Sequence, residues 1–452
     1  MNAIARCAVI ACLFLPGFAA PAAAQQGPQT TILLQNVLVF DGKATALSGP
    51  TNVLVRGNKI ERISTAPIAV DRDADTVIIS GNGRTLMPGL IDAHAHLTFN
   101  TLPIALLSTG DPNYLQFRAG AAAKDFLLAG FTSARDLGGP SFGMKQAIDE
   151  GLIIGPRIWP SGAMISQTSG HADFRALNQL PSSVAREPYP GVRFGYQALA
   201  DGVPEMLKVV REQLMHGASQ IVLAVGGGVS SNYDAIDVTE YSLDEIKAAV
   251  GAAEDWGTYV TVHGYTPRAV RRAVEAGAKV IDHGQLLDEP TLQLMAEKGV
   301  WLEIQPFLQD KDAIPTAPGS ENERKYQQVA EGTARAYTLA KKYKVKTAFG
   351  TDIQLNPKGA ERQPFYLTKL VQWYSPAEVL KMATADNAEL LALSGPRNPY
   401  PGKLGVVEEG ALADLLLVDG DVLANITLLE RPAKNLAVII KDGKIFKNTL
   451  AN

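Results

Sequence analysis

The sequence predicts an α/β protein, a (β/α)8 TIM barrel with a small β-sandwich built from the N- and C-terminal segments. Three observations lead there. Eight short apolar runs alternate with helical patterns between about residue 90 and residue 395, both ends of the chain are strand-rich, and several of the central runs end in a residue able to bind a metal ion.

The elements follow in chain order. Residues 1–24 read as a secretory signal peptide: Arg6 supplies a short positive start, AVIACLFLPGFAA an apolar stretch, and Ala22-Ala23-Ala24 a small-residue cleavage site before Gln25. The apolar stretch is too short to cross a bilayer with margin, so stable membrane insertion after cleavage is not expected. An uncleaved anchor is the alternative. The chain is therefore expected to be exported, to the periplasm or the medium. Both cysteines, Cys7 and Cys12, lie in this segment, so a mature chain would have no thiol. Any metal would be held by nitrogen and oxygen.

Residues 30–88 carry β-branched runs punctuated by Gly and Asn (TILLQNVLVFDG, NVLVRGNKIERI, DTVIISGNGRTLMPG), and they are expected to pair with 399–449 in one composite β-sandwich. Residues 89–398 form the predicted barrel. Its runs are GLIDAHAHL, FTSARDLGG, RIWPSGAMI, QIVLAVGGG, YVTVHGY, KVIDHG, VWLEIQP and KTAFGTD, with helical sequence such as SLDEIKAAVGAAEDWG between them. In the last barrel helix Ser375 is placed to cap the N-terminus, Pro376 sits at the first turn and Gly395 stops it. The stretch 305–330 reads as a long loop able to cover the barrel mouth.

With 452 residues, 46% of them hydrophobic, the chain can bury a core for a barrel and an attached module. The formal net charge of -4 and the lack of a dominant basic patch argue against a nucleic-acid partner. The cluster Arg268, Arg271 and Arg272 falls in a helical pattern and reads as a solvated face.

Side chains at the C-terminal ends of barrel strands converge on one face. The first run ends in His94-Ala95-His96, where strand alternation turns both imidazoles the same way. Later runs end in His263, His283 and Asp352. The chain has six histidines, and four fall at such positions, which a random scatter would not give. His216 ends a helix-like stretch before Gly217 and reads as structural, a cation at a helix C-terminus.

These motifs resemble the amidohydrolase superfamily. LMPGLIDAHAHL is similar to its first metal-binding strand, TVHGYTPRAV and VIDHG to the segments of its third and fourth histidines, FGTD to that of its aspartate, and GALADLLLVDGD and VIIKDGKI to its closing strands. SGHAD, the GGGVS loop and TSARDLGG resemble the branch of Xaa-Pro dipeptidases, Xaa-Arg/Lys carboxypeptidases and ochratoxin-hydrolysing amidases. The resemblance implies that His94 and His96 bind a buried zinc ion with Asp352, and that His263 and His283 bind a second. It also implies that Asp352 shuttles the proton of a metal-activated water to the leaving amine. His171 and Tyr265 are the groups expected to hold the substrate carbonyl. Arg175, near His171, is a cationic partner for a substrate carboxylate.

The pattern breaks at one position. Dinuclear members of the branch bridge their metals with a carboxylated lysine on the fourth strand, and the aligned residue here is Val222, which cannot ligate; the nearest lysine, Lys208, belongs to the preceding helix. Three outcomes are open: one zinc ion, two held weakly, or a crippled site. The expected activity is hydrolysis of an amide next to a free carboxylate, in a dipeptide, an N-acyl amino acid or an ochratoxin-like compound. The alternatives are a mononuclear deaminase or cyclic amidase, disfavoured because His263 is followed by Gly264, Tyr265 and Thr266 rather than a glutamate, and a non-catalytic homologue. Related barrels often assemble, so a homo-oligomer is an open expectation.

Overall fold

The computed structural model describes residues 30–450 apart from 104, 105, 107, 108, 181–184 and 186. The signal-peptide reading thus lies outside the described residues. Among those residues, no helix is long and apolar enough to cross a membrane.

The N-terminal strands are β1 (Thr31–Val39), β2 (Pro50–Arg56), β3 (Lys59–Ser64), β4 (Thr76–Ser80) and β5 (Thr85–Pro88). The central strands are β6 (Leu90–Ala95), β7 (Phe131–Asp136), β8 (Arg157–Pro160), β9 (Met164–Ser166) and β10 (Gln197–Leu199), then β11 (Ile221–Ala224), β12 (Val260–Gly264), β13 (Val280–His283), β14 (Trp301–Ile304) and β15 (Thr347–Phe349). The chain closes with β16 (Leu415–Val418), β17 (Leu436–Lys441) and β18 (Lys444–Asn448).

Both ends of the chain meet in one eight-stranded sheet of order β18-β17-β16-β5-β1-β2-β3, with β4 parallel to β1. The join is the antiparallel pair of β5 and β16, Leu86 opposite Leu417. Alternation along β1 sends Ile32 and Leu34 into a core with Val53, Val55, Leu415 and Val438, while Leu33 packs on the other face with Leu54 and Ile68.

All eight predicted central runs form strands, and every pair among them is parallel. They lie in two sheets, β6-β7-β8 and β10-β9-β11-β12-β13-β14-β15. β11 (IVLA) is buried on both faces, which is why its sequence is continuously apolar rather than alternating. Backbone bonds reach across the sheet edges: Ser219 N donates to Pro160 O at 2.8 Å beside β8, and Asp352 N donates to His94 O at 2.9 Å beside β6. Asn387 ties the same seam, donating to Ile91 O and Phe349 O at 2.8 Å each.

The connecting helices follow their sequence signals. Leu243–Asp255 opens on a Ser242–Glu245 capping box, and Gly202–His216 ends on Gly217 in the left-handed conformation (φ 99°). His216 stacks on Phe142, away from the other histidines. Ser375 caps Pro376–Lys381 in a full capping box as expected, but the predicted single helix continues through a π-turn (Met382–Asp386) and a short 3-10 segment past Gly395. The π-turn precedes Asn387, which the seam needs. The predicted loop 305–330 ends earlier than expected, because Ser320 accepts from Glu323 N and starts the helix Glu321–Tyr343.

Candidate active site

His94 is the next-to-last residue of β6 and His96 follows the strand, 2% and 3% exposed. The Asp352 carboxylate, three residues past β15, brings Oδ1 to 2.9 Å from His96 Nε2 and 3.4 Å from His94 Nε2. Asp352 holds φ at 49°, a left-handed value that Asp tolerates better than most side chains, and His283 holds 83° at the end of β13. Gly350 in the FGTD motif is required here: a Cβ would fall 2.4 Å from His94 Cβ and 2.3 Å from Glu303 Oε1. His283 in turn lies 5.0 Å, ring centre to ring centre, from His94, and 4.3 Å from His263. The five predicted ligands therefore form one continuous cluster. Among the described residues, His94, His96 and Asp352 can direct three donor atoms at one cation.

Electrostatics separates these imidazoles. Burial lowers His94, but the Glu303 and Asp352 carboxylates outweigh it and raise the pKa to about 9. Burial drives His283 down to about 3 and takes His263 well below its ordinary value, the latter helped by His171 and His283. Neutral imidazoles of this kind are the form that binds metal. Asp352 would be raised by burial, yet His94 and the hydrogen bond from His96 hold it well below the carboxylate range.

His171 lies flat on His263, with ring centres 3.9 Å apart and planes within 9°. Its Nδ1 is 2.8 Å from Ser231 Oγ and 3.6 Å from Asp234 Oδ2. The GGGVS loop reaches it only because position 228 is glycine; a Cβ there would meet the ring at 2.1 Å. Tyr265 stacks on His283 at 4.8 Å. The adjoining cavity is walled by Phe99, Leu137, Met164, Phe174, Tyr196 and Leu355, and its outer part by residues 314–317 of the long loop.

Arg175 and Val222 stand apart from this cluster. Arg175 does not line the cavity; its guanidinium grips Asp173 through Nε–Oδ1 at 2.7 Å and NH2–Oδ2 at 2.5 Å, a local pair the sequence reading overlooked. Val222 is buried in β11 opposite Thr261 and offers no donor atom. His263 and His283 thus have no third protein ligand from that strand. If the cluster holds metal as the sequence suggests, replacing Val222 by Lys should raise occupancy of a second metal site and increase the hydrolytic rate. Metal analysis alongside kinetics checks this, and an unchanged ion count would dispose of it.

Beneath the imidazole cluster lies a buried polar layer that the sequence motifs do not announce. Glu303 Oε2 lies 2.5 Å from His94 Nδ1, Gln305 Nε2 donates to the same oxygen at 2.7 Å, and Gln305 Oε1 lies 2.7 Å from His283 Nδ1. Arg135, fully buried, donates to Asp282 Oδ1 at 2.5 Å and to Ala93 O at 2.6 Å. The available signal was a charged residue inside a run otherwise buried on both faces, as in WLEI and FTSARD.

A parallel-strand scaffold presenting clustered imidazoles and a carboxylate at its strand ends defines a hydrolase-type centre. The chain belongs to the amidohydrolase family, whose model matches residues 85–446. It is similar to the ochratoxinase of Aspergillus niger, with 32% identity over 378 residues, covering 80% of this chain and 75% of that protein. Among solved structures it resembles a prolidase in complex with N-methylphosphonate-L-proline (31% identity, TM-score 0.85, covering 93% of this chain and 100% of that one). It also resembles a Xaa-Pro dipeptidase with bound methionine (27% identity, TM-score 0.79, covering 93% and 100%). These relatives match the branch that the motifs indicate.

Proposed function

We propose that this chain is an exported, zinc-dependent hydrolase of an amide or peptide bond next to a free carboxylate, in a dipeptide, N-acyl amino acid or ochratoxin-like compound. The observation that carries the reading is the Asp352 carboxylate set against His96 and His94 on one side of a cavity whose other side presents His171. In this reading the two parallel sheets are arcs of one (β/α)8 barrel, residues 89–398, and 30–88 with 399–449 form the attached β-sandwich; the bonds across the sheet edges support the closure.

The donor set fits one zinc ion: His94, His96 and Asp352 would hold it, with His263 and His283 facing the same space. Such an ion, when bound, polarises a carbonyl and makes a nearby water more acidic. Asp352, an unprotonated carboxylate, takes the proton of the attacking water and returns it to the leaving amine. His171 and Tyr265 turn N–H and O–H groups towards the oxygen on which negative charge develops. The apolar walls hold an aromatic or aliphatic side group and keep bulk water out. Since Arg175 is committed to Asp173, the substrate carboxylate is assigned to neutral donors, of which Asn232 lines the outer cavity.

Val222 favours a second reading, a homologue that keeps an ion but has lost turnover. Zinc-loaded protein screened against dipeptides, N-acyl amino acids and ochratoxin decides between them. Release of the amine supports the first reading; silence with retained zinc supports the second. Ammonia released from a ring substrate would instead indicate a deaminase.

A further inference from the structure

The buried layer beneath the ligands and the valine at position 222 bear on each other. We infer that Glu303 is a positioning residue that adapts this centre to a single divalent cation. The proposal rests on the metal-dependent reading above, but its test does not depend on turnover.

Glu303 sits on β14 with no solvent exposure, and its Oε2 faces His94 Nδ1 at 2.5 Å. That contact holds a ring proton on Nδ1 and turns Nε2 towards Asp352, the side from which a cation would be bound. Gln305, two residues on and on the same face of the chain, donates to Glu303 and accepts from His283 Nδ1. One carboxylate and one amide therefore set the tautomers of two ligand imidazoles. Among the described residues no lysine or arginine forms an ion pair with this carboxylate, which is fully buried; its Oε1 lacks a hydrogen-bond partner and lies against Gly350.

The donor set gives the stoichiometry. Arg135 is ion-paired with Asp282, and the carboxylates bonded to the imidazoles of the cluster are Asp352 and Glu303. His94, His96 and Asp352 offer three donor atoms to one divalent ion, whereas β11 gives His263 and His283 no further donor. A second would add two positive charges to a buried space where position 222 contributes neither a charge nor a donor, which is unfavourable. The negative charge that a strand-borne bridge would place between two ions is here behind the first.

The test uses the full chain and metal alone. After dialysis against micromolar zinc, mass spectrometry should find one ion per chain. In chelator competition Glu303→Gln should weaken zinc binding by about 10–100-fold, the usual effect of losing a hydrogen-bond partner of a ligand histidine. The cobalt-substituted variant should also shift its visible absorption bands, because the donor strength of His94 changes; a merely structural glutamate would leave them in place. Native-like affinity and an unshifted cobalt spectrum in a folded Glu303→Gln protein would overturn the proposal. So would two tightly held ions in the native chain, a result that stands even if the variant does not fold. An absence of amide turnover, by contrast, would remove the hydrolase reading and leave the ion count and affinity shift intact.

Discussion

Asp352→Asn should, on the proposed mechanism, lower kcat/KM for any amide this protein cleaves by about a thousandfold or more, because a proton-transferring carboxylate contributes of the order of 10²–10⁴ and this one would also hold the ion. Asparagine is the informative replacement. It keeps the size of the side chain, and it is among the few residues that accept a φ of 49° without strain. It can still hydrogen-bond His96, so the fold should survive. What it loses is the charge that pairs with His94 and the ability to take a proton from water. Circular dichroism and steady-state kinetics on the same preparation check the expectation; a folded variant within tenfold of the native rate would remove Asp352 from the chemistry.

The second large effect concerns stability. Arg135→Met should destabilise the protein by about 3–5 kcal/mol, the usual cost of leaving one partner of a buried ion pair uncompensated. Arg135 is fully buried, and its guanidinium serves Asp282, Ala93 O and Thr261 Oγ1 at once. Asp282 lies beside His283, so the stranded charge would sit directly under the imidazole cluster. Adding Asp282→Asn should recover much of the loss, since the pair is then removed together. Denaturation of the single and double variants measures the difference, and equal destabilisation in both would show that the ion pair is not the cause.

The cluster of His94, His96, His263, His283 and Asp352 was legible because parallel strands bring scattered residues to one face, and HAH, VHG, DHG and GTD each end an apolar run. His171 was legible only through its motif; nothing in the spacing of SGHAD predicts that its ring will stack on His263. Arg175 misled because a sequence shows a charge but not its partner, and Asp173 two residues away claims it. Glu303, Gln305 and Arg135 were passed over for a related reason. In a strand buried on both faces a charged residue violates the hydrophobic pattern, and such a violation is itself the sign of a polar interior. The last helix was read as continuous because its caps are regular; the π-turn serves Asn387, whose partners in β6 and β15 lie far away in sequence.

The pairing of β5 with β16 also governs how this protein can be made. A ribosome releases Thr85–Pro88 long before Leu415–Val418, and in the interval that strand offers an unsatisfied row of amides and carbonyls beside Leu86 and Met87. Such an open edge invites pairing with other chains. Asp414, next to the late strand, is also the partner that Arg157 needs once it is buried. Folding of this sheet therefore waits until Leu415–Val418 has been made, and fragments lacking that strand should accumulate as aggregates rather than as partly active protein.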